Sequence, residues 1–146
     1  MNTSLESKSL PEGVRRVTAA LQDAGPDCPQ LEALRQTASL AKQAVVDRNL
    51  QALGQAFQAN TAAQENLHPA LISAGARRLI EIARQHGALG WKVNGAGGEG
   101  GSLALLGSAN PDQRRRMESG LLAGLPGSRL IPIRLDFEGL QVTELN

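Results

Sequence analysis

Apolar and polar positions recur with a helical period over the first half of the chain and with a strand period over much of the second. In residues 11–24, Val14, Val17 and Leu21 fall three and four apart, and Gly25-Pro26 stops the pattern. Residues 29–47 carry Leu31, Leu34, Ala38, Ala41 and Val45 in the same rhythm, which predicts a second helix with one buried stripe. Arg48-Asn49 breaks it, and residues 50–65 predict a third helix with Leu50, Leu53 and Phe57 facing inward. The next turns in that phase hold Asn60 or Thr61 and then Gln64. A stripe that turns polar either leaves the core or enters a cleft, where each buried amide needs a hydrogen-bond partner.

His68-Pro69 predicts the start of a fourth helix, with proline at its first position and Ile72, Ala76, Leu79, Ile80 and Ala83 inward. It ends at His86-Gly87, where glycine suits a left-handed cap. His68 reads as a cap, and His86 as a last-turn residue that favours the helix dipole when charged. Beyond Gly87 the period becomes two. "ALGWKVN" alternates Leu89, Trp91 and Val93, and "SLALLG" follows a glycine run, so both predict strands. "NPDQRRRMESGLLAG" predicts a helix capped by Asn110, with Met117, Leu121 and Leu122 inward. Arg114, Arg115 and Arg116 occupy most of one turn, cannot converge on one site, and read as a solvated face. "RLIPIRLDF" alternates Ile131, Ile133, Leu135 and Phe137, with Pro132 marking an edge strand or a strand end, and "LQVTEL" follows a Glu138-Gly139 turn. This order predicts an α+β domain over residues 11–146, its helices packed on a mainly antiparallel sheet of about four strands, behind a flexible tail at 1–10.

Composition narrows the function classes. Aromatic residues make up 2% of the 146, so the core is aliphatic. Fifteen basic residues against fourteen acidic ones leave a charge of +1, which argues against a dedicated nucleic-acid binder. A single cysteine, Cys28, excludes an internal disulfide and points to a reducing compartment. The polar N-terminus lacks the apolar core of a secretion signal, and no run approaches the ~20 apolar residues of a membrane span, so the expectation is a cytoplasmic protein with no membrane partner. Two histidines, one cysteine and no tight carboxylate cluster predict no metal site.

Five of the seven residues from Gly95 to Gly101 are glycine. Gly95, Gly97 and Gly100 spell G-x-G-x-x-G, but a strand follows them where a dinucleotide-binding turn opens a helix. Gly100-Gly101-Ser102 lacks the lysine of a P-loop. Successive glycines let backbone N–H groups converge on an anion or let another segment approach closely. A flexible hairpin needs only one or two.

"HGALGWKVNGAGGEGGSLALL", residues 86–106, resembles the third conserved motif of the GHMP kinases, a superfamily that includes galactokinase, homoserine kinase, mevalonate kinase and phosphomevalonate kinase. "LEALRQTASLAKQAVVDRNLQALGQAFQANTAAQENLHPALIS" is similar to the helical part of the same C-terminal domain, particularly in the sugar-kinase branch. The resemblance covers roughly residues 31–145. It implies a ferredoxin-like C-terminal domain whose loop, Asn94, Gly95, Ala96, Gly97, Gly98, Gly100 and Gly101 flanked by Ser102, sits where ATP and substrate meet. Asn60, Thr61 and Gln64 would line the substrate side. The family's ATP-binding loop and catalytic residues belong to an N-terminal domain that is absent from these 146 residues, and Glu99 in the loop opposes simple phosphate binding.

The expectation is therefore the substrate-side domain of an ATP-dependent kinase for a sugar or sugar phosphate, inactive alone and with its catalytic residues unknown. ATP and Mg²⁺ would serve the complete enzyme, with neither held tightly by this chain. Its partners would be an N-terminal kinase domain, fused or separate, and a small sugar, with a tendency to dimerise. The alternative is a stand-alone ligand-binding or protein-interaction module that kept the loop and lost the chemistry.

Overall fold

A computed structural model describes residues 15, 18, 22–25, 28–95, 101–133 and 138–139. Residues 15, 18 and 22–24 are helical, and the rest of the predicted 11–24 helix lies outside the described residues. Helix α1 runs Pro29–Val46, with proline in its first turn after Cys28. Asp47 ends it, Arg48 adopts a left-handed φ of 52°, and Asn49 caps α2, Leu50–Leu67, by accepting the Ala52 N–H at 3.0 Å. So short a link forms an αα-hairpin, and the two helices pack along each other.

The buried residues of α1 are Thr37 and Ala44, one position before the Ala38 and Val45 that periodicity selects, and Val45 is exposed. In α2 they are Gly54, Ala56, Thr61 and Ala63, while Leu50 is exposed and Leu53 and Phe57 are half-buried. The physical reason is crowding. Helix α2 lies between α1 and the sheet, and the face that touches both must be small.

Pro69 opens only a 3-10 turn, Pro69–Leu71, over which the His68 Nδ1 accepts the Ala70 N–H at 3.1 Å. Helix α3 begins later, at Ala74–Gln85, because Ser73 offers a second cap that accepts the Ala76 N–H. Strands β1, Gly90–Val93, and β2, Leu103–Leu106, pair antiparallel, with Gly90 opposite Leu106, Trp91 opposite Leu105, Lys92 opposite Ala104 and Val93 opposite Leu103. Asn110 caps α4, Pro111–Gly124, through bonds from Asp112 and Gln113.

Ile82 and Ala83 of α3 meet Met117 and Leu121 of α4 in the main core, with Leu79, Ala88 and Leu105 packed against them. Gly120 and Gly124 let the two helices close: a Cβ on Gly120 would stand 2.7 Å from the His86 Nε2. Leu122, predicted inward, is 45% exposed because it sits a third of a turn from that seam.

The architecture is α+β, as the pattern predicts, and the sheet among the described residues has two strands rather than about four. Residues 129–133 belong to no ladder, and Leu130, Ile131 and Ile133 are exposed. Alternation alone does not make a strand, and these residues pair with no other described segment. Residues 134–137 and 140–146, the rest of the last two predicted strands, and the tail at 1–10 lie outside the described residues.

Candidate functional site

The glycine run joins β1 to β2, and the described residues form its base. The Asn94 N–H donates to the Ser102 carbonyl at 2.9 Å, and the Asn94 Nδ2 donates to the Ser102 Oγ at 3.2 Å. Gly95 turns the chain with φ of 66°, a conformation that glycine takes without strain. Asn94, Gly95, Gly101 and Ser102 are therefore brought together, while Ala96, Gly97, Gly98 and Gly100 lie outside the described residues.

Helix α2 holds this hairpin along the free edge of β1. Gly54 presses directly on the strand: a Cβ there would lie 2.7 Å from the Leu89 carbonyl carbon, and one on Gly90 would lie 2.7 Å from the Gly54 carbonyl carbon. With the backbones this close, polar side chains one helical face further along reach the strand. The Gln58 Nε2 donates to the Leu89 carbonyl at 2.9 Å. The Thr61 hydroxyl donates to the Trp91 carbonyl at 3.2 Å and accepts the Val93 N–H at 3.3 Å. The Gln64 Nε2 reaches the Gly95 carbonyl at 3.5 Å, at the mouth of the loop.

The polar turn of α2 supplies partners that the strand edge requires, and two of its residues, Gln58 and Thr61, also line the groove beside it. Thr61 and Gln64 sit against the hairpin. Asn60 points the other way, donating to the Thr37 Oγ1 of α1 at 2.8 Å. The Asn60 Oδ1 and Gln64 Oε1 are buried without a hydrogen-bond partner among the described residues. Gln58 and Gly54 escaped sequence reasoning. The available signal was the spacing of Gly54, Gln58 and Thr61, four and three apart on one face.

Beside this ladder, α2, the 3-10 turn, α3 and β1 enclose an open groove of about 560 Å³, walled by Ile72, Ile80 and the half-buried Trp91. Glu65 and Arg77 form an ion pair across it, and Arg77 also donates to the Pro69 carbonyl. Glu81, on its rim, titrates below the usual carboxylate value, chiefly because of the hydrogen bond from Arg84 and then that from Gln85; Arg84 is raised in turn.

The base of the loop carries one ionisable side chain among the described residues, Lys92, whose Nζ turns back to the Val93 carbonyl at 3.2 Å. Apart from the Lys92 amine, the described base offers only backbone groups, an amide and a hydroxyl, with no carboxylate or imidazole. Among the described residues there is no group of three His, Cys, Asp or Glu that could hold a metal ion, and no helix is long and apolar enough to cross a membrane.

The family model described as GHMP kinases C terminal matches residues 40–127, from the second half of α1 to just past α4. The chain belongs to the GHMP kinase C-terminal family. Among solved structures it is similar to L. major mevalonate kinase in complex with R-mevalonate, with 27% identity and a TM-score of 0.65. The match takes in 78% of this chain and 34% of that one, so this GHMP domain spans about a third of the kinase that it resembles. No curated protein sequence matches it. The α+β fold is that of the GHMP kinase C-terminal domain.

Proposed function

We propose that this GHMP domain is the substrate-side part of an ATP-dependent small-molecule kinase, acting in the cytoplasm on a sugar or sugar phosphate. The observation that carries the reading is the hairpin itself. Asn94, Gly95, Gly101 and Ser102 form the base of the glycine-rich run, and α2 holds that base through Gln64 at Gly95 and the strand leading into it through Thr61 at Trp91 and Val93. Phosphoryl transfer depends on positioning and on stabilising developing charge rather than on covalent work by the protein. In this reading the loop from Asn94 to Ser102 confines the substrate and phosphate, and Gln64 and Thr61 act on substrate through the loop. Asn60, turned towards α1, acts at one further remove.

ATP and Mg²⁺ belong to the complete enzyme. The described residues do not fit the metal, since they gather no acidic ligand set. The N-terminal half of the kinase, in the same polypeptide or another, would bring the nucleotide. A second reading has a specific observation behind it: the similar mevalonate kinase is complexed with R-mevalonate, which makes a hydroxy-acid the competing substrate class.

The test is phosphate transfer from ATP to a panel of sugars, sugar phosphates and mevalonate, by the chain alone and by the chain joined to a GHMP kinase N-terminal half. The joined protein is expected to phosphorylate a sugar-class substrate, with the chain alone inactive and its unfolding midpoint unmoved by millimolar Mg-ATP. Turnover of mevalonate alone selects the second reading. A saturable ATP-induced rise in the midpoint of the chain alone overturns the division of labour.

A further inference from the structure

The glycine that opens the turn leaves the residue before it open to a covalent change. Seven asparagines occur in the chain, and only Asn94 precedes a glycine; the others precede threonine, leucine or proline, or end the chain. Asparagine is thermolabile because the backbone nitrogen of the next residue can attack its side-chain carbonyl carbon. A Cβ on that next residue hinders the approach, and Gly95 has none.

The fold puts this pair where the ladder gives way to the turn. Asn94 follows Val93, the last paired residue of β1, and Gly95 is exposed with its left-handed φ of 66°. The Asn94 side chain is restrained by the bond from its Nδ2 to the Ser102 Oγ at 3.2 Å, between groups that are both exposed. Opening that bond is therefore a local event and requires no unfolding of the hairpin. The second tie, from the Asn94 N–H to the Ser102 carbonyl, involves no atom of the ring that the attack closes, so it holds the strand end while the reaction proceeds.

We propose that Asn94 is a site of non-enzymatic deamidation, which turns the mouth of the glycine run from neutral to anionic. The Gly95 nitrogen attacks the Asn94 Cγ. An N–Cγ bond forms as the Cγ–Nδ2 bond breaks, and Nδ2 leaves as ammonia with the former Gly95 amide proton. Water then opens the cyclic imide at either carbonyl, and no atom is oxidised or reduced. Opening at one carbonyl leaves aspartate; opening at the other leaves isoaspartate, whose main chain runs through the former side chain. Both products carry a carboxylate that is ionised at neutral pH, beside Ser102. Isoaspartate also lengthens the main chain by one methylene, about 1.5 Å. The Gly95 carbonyl, which Gln64 Nε2 reaches only at 3.5 Å, is then carried away from it. The proposal does not depend on the kinase reading.

Incubation of the whole chain in warm neutral buffer tests it, with peptide mapping by mass spectrometry and enzymatic methylation of isoaspartate as readouts. A synthetic peptide of residues 90–98 sets the reference rate. Asn94 in the folded chain should convert within about tenfold of the peptide's rate, the factor for first breaking one hydrogen bond, and ahead of every other asparagine. Ser102→Ala removes that bond and should bring the rate up towards the peptide's. Asn94→Gln, whose longer side chain closes the ring far less readily, should stay intact. In the isoaspartate product the Gln64 side-chain amide signal should move in an NMR spectrum, while that of Gln58, bonded to Leu89, stays. Conversion of Asn94 more than about tenfold slower than in the peptide overturns the proposal. So does another asparagine that converts first.

Discussion

Replacing Gly54 by alanine should weaken the domain, against the ordinary rule that alanine is the better helix former. The new Cβ would stand 2.7 Å from the Leu89 carbonyl carbon and 3.2 Å from the Leu89 Cβ, with the carbonyl oxygen nearer still. Carbon atoms rest at about 3.5–4.0 Å, so α2 and β1 would have to part by roughly 1 Å. The obstacle is backbone, which cannot rotate away as a side chain can. A separation of that size stretches the Gln58 bond from 2.9 Å and the two Thr61 bonds from 3.2 and 3.3 Å beyond useful range. Three bonds at about 1 kcal/mol each set the cost if the helix moves. Overpacking of about 1–3 kcal/mol sets it if the helix stays. The gain in helix propensity returns about 1 kcal/mol. The net expectation is a loss of about 2 kcal/mol, read as a fall of roughly 4–10 °C in the unfolding midpoint of Gly54→Ala. Gly75→Ala is the control: its Cβ would meet the Leu125 Cδ2 at 3.4 Å and the Ser73 Oγ at 3.8 Å, both side-chain atoms, and it should be neutral or slightly stabilising. Thermal unfolding followed by circular dichroism, with a urea titration alongside, measures both. A Gly54→Ala midpoint equal to or above that of the parent would refute the close-contact account.

Further predictions concern single contacts. Thr61→Val keeps the shape and removes the bonds to Trp91 and Val93, and should cost about 1–3 kcal/mol in a urea titration. Asn110→Ala removes the cap on α4 and should cost about 1 kcal/mol by the same measure. Arg48→Gly relieves a left-handed backbone and should raise the unfolding midpoint, the αL penalty of about 1–2 kcal/mol outweighing the added freedom of the unfolded chain. The Glu81 carboxylate is held low by Arg84, so the stability that it contributes is present above its unfolded pKa and is lost as pH falls through the lower, folded value. An NMR pH titration of Arg84→Ala should show the Glu81 midpoint moving up towards the ordinary carboxylate range.

How far the fold was legible depended on whether a feature was local. Asn110-Pro111 announces a helix start by chemistry confined to three residues, and the structure has the helix there. Gly87 ends α3's last turn at a φ of 75°, again as glycine at that place suggests. His68-Pro69 misled because two cap signals lie five residues apart, and the first serves a single 3-10 turn. Periodicity counted Leu50 and Val45 as core since it weighs size and hydrophobicity. The contacts instead selected Gly54, Ala44 and Thr37, which are small enough to let three layers meet. The polar switch at residues 60–64 was visible as an anomaly, but its purpose needed a strand thirty residues away. Nothing in the sequence distinguishes the direction of Asn60, into α1, from that of Thr61, onto β1.

The contact between Gly54 and Gly90 has a consequence for anyone who would move the glycine turn into another scaffold. Residues 86–106 look like a self-contained cassette, a hairpin with its loop. Yet one side of that hairpin is finished by another part of the chain, through Gln58, Thr61 and the bare backbone of Gly54. Cut out alone, the cassette would carry a raw edge along β1 and lose the anchor at the mouth of its loop. The smallest transplantable unit therefore begins no later than Asn49, and it brings a whole helix with it.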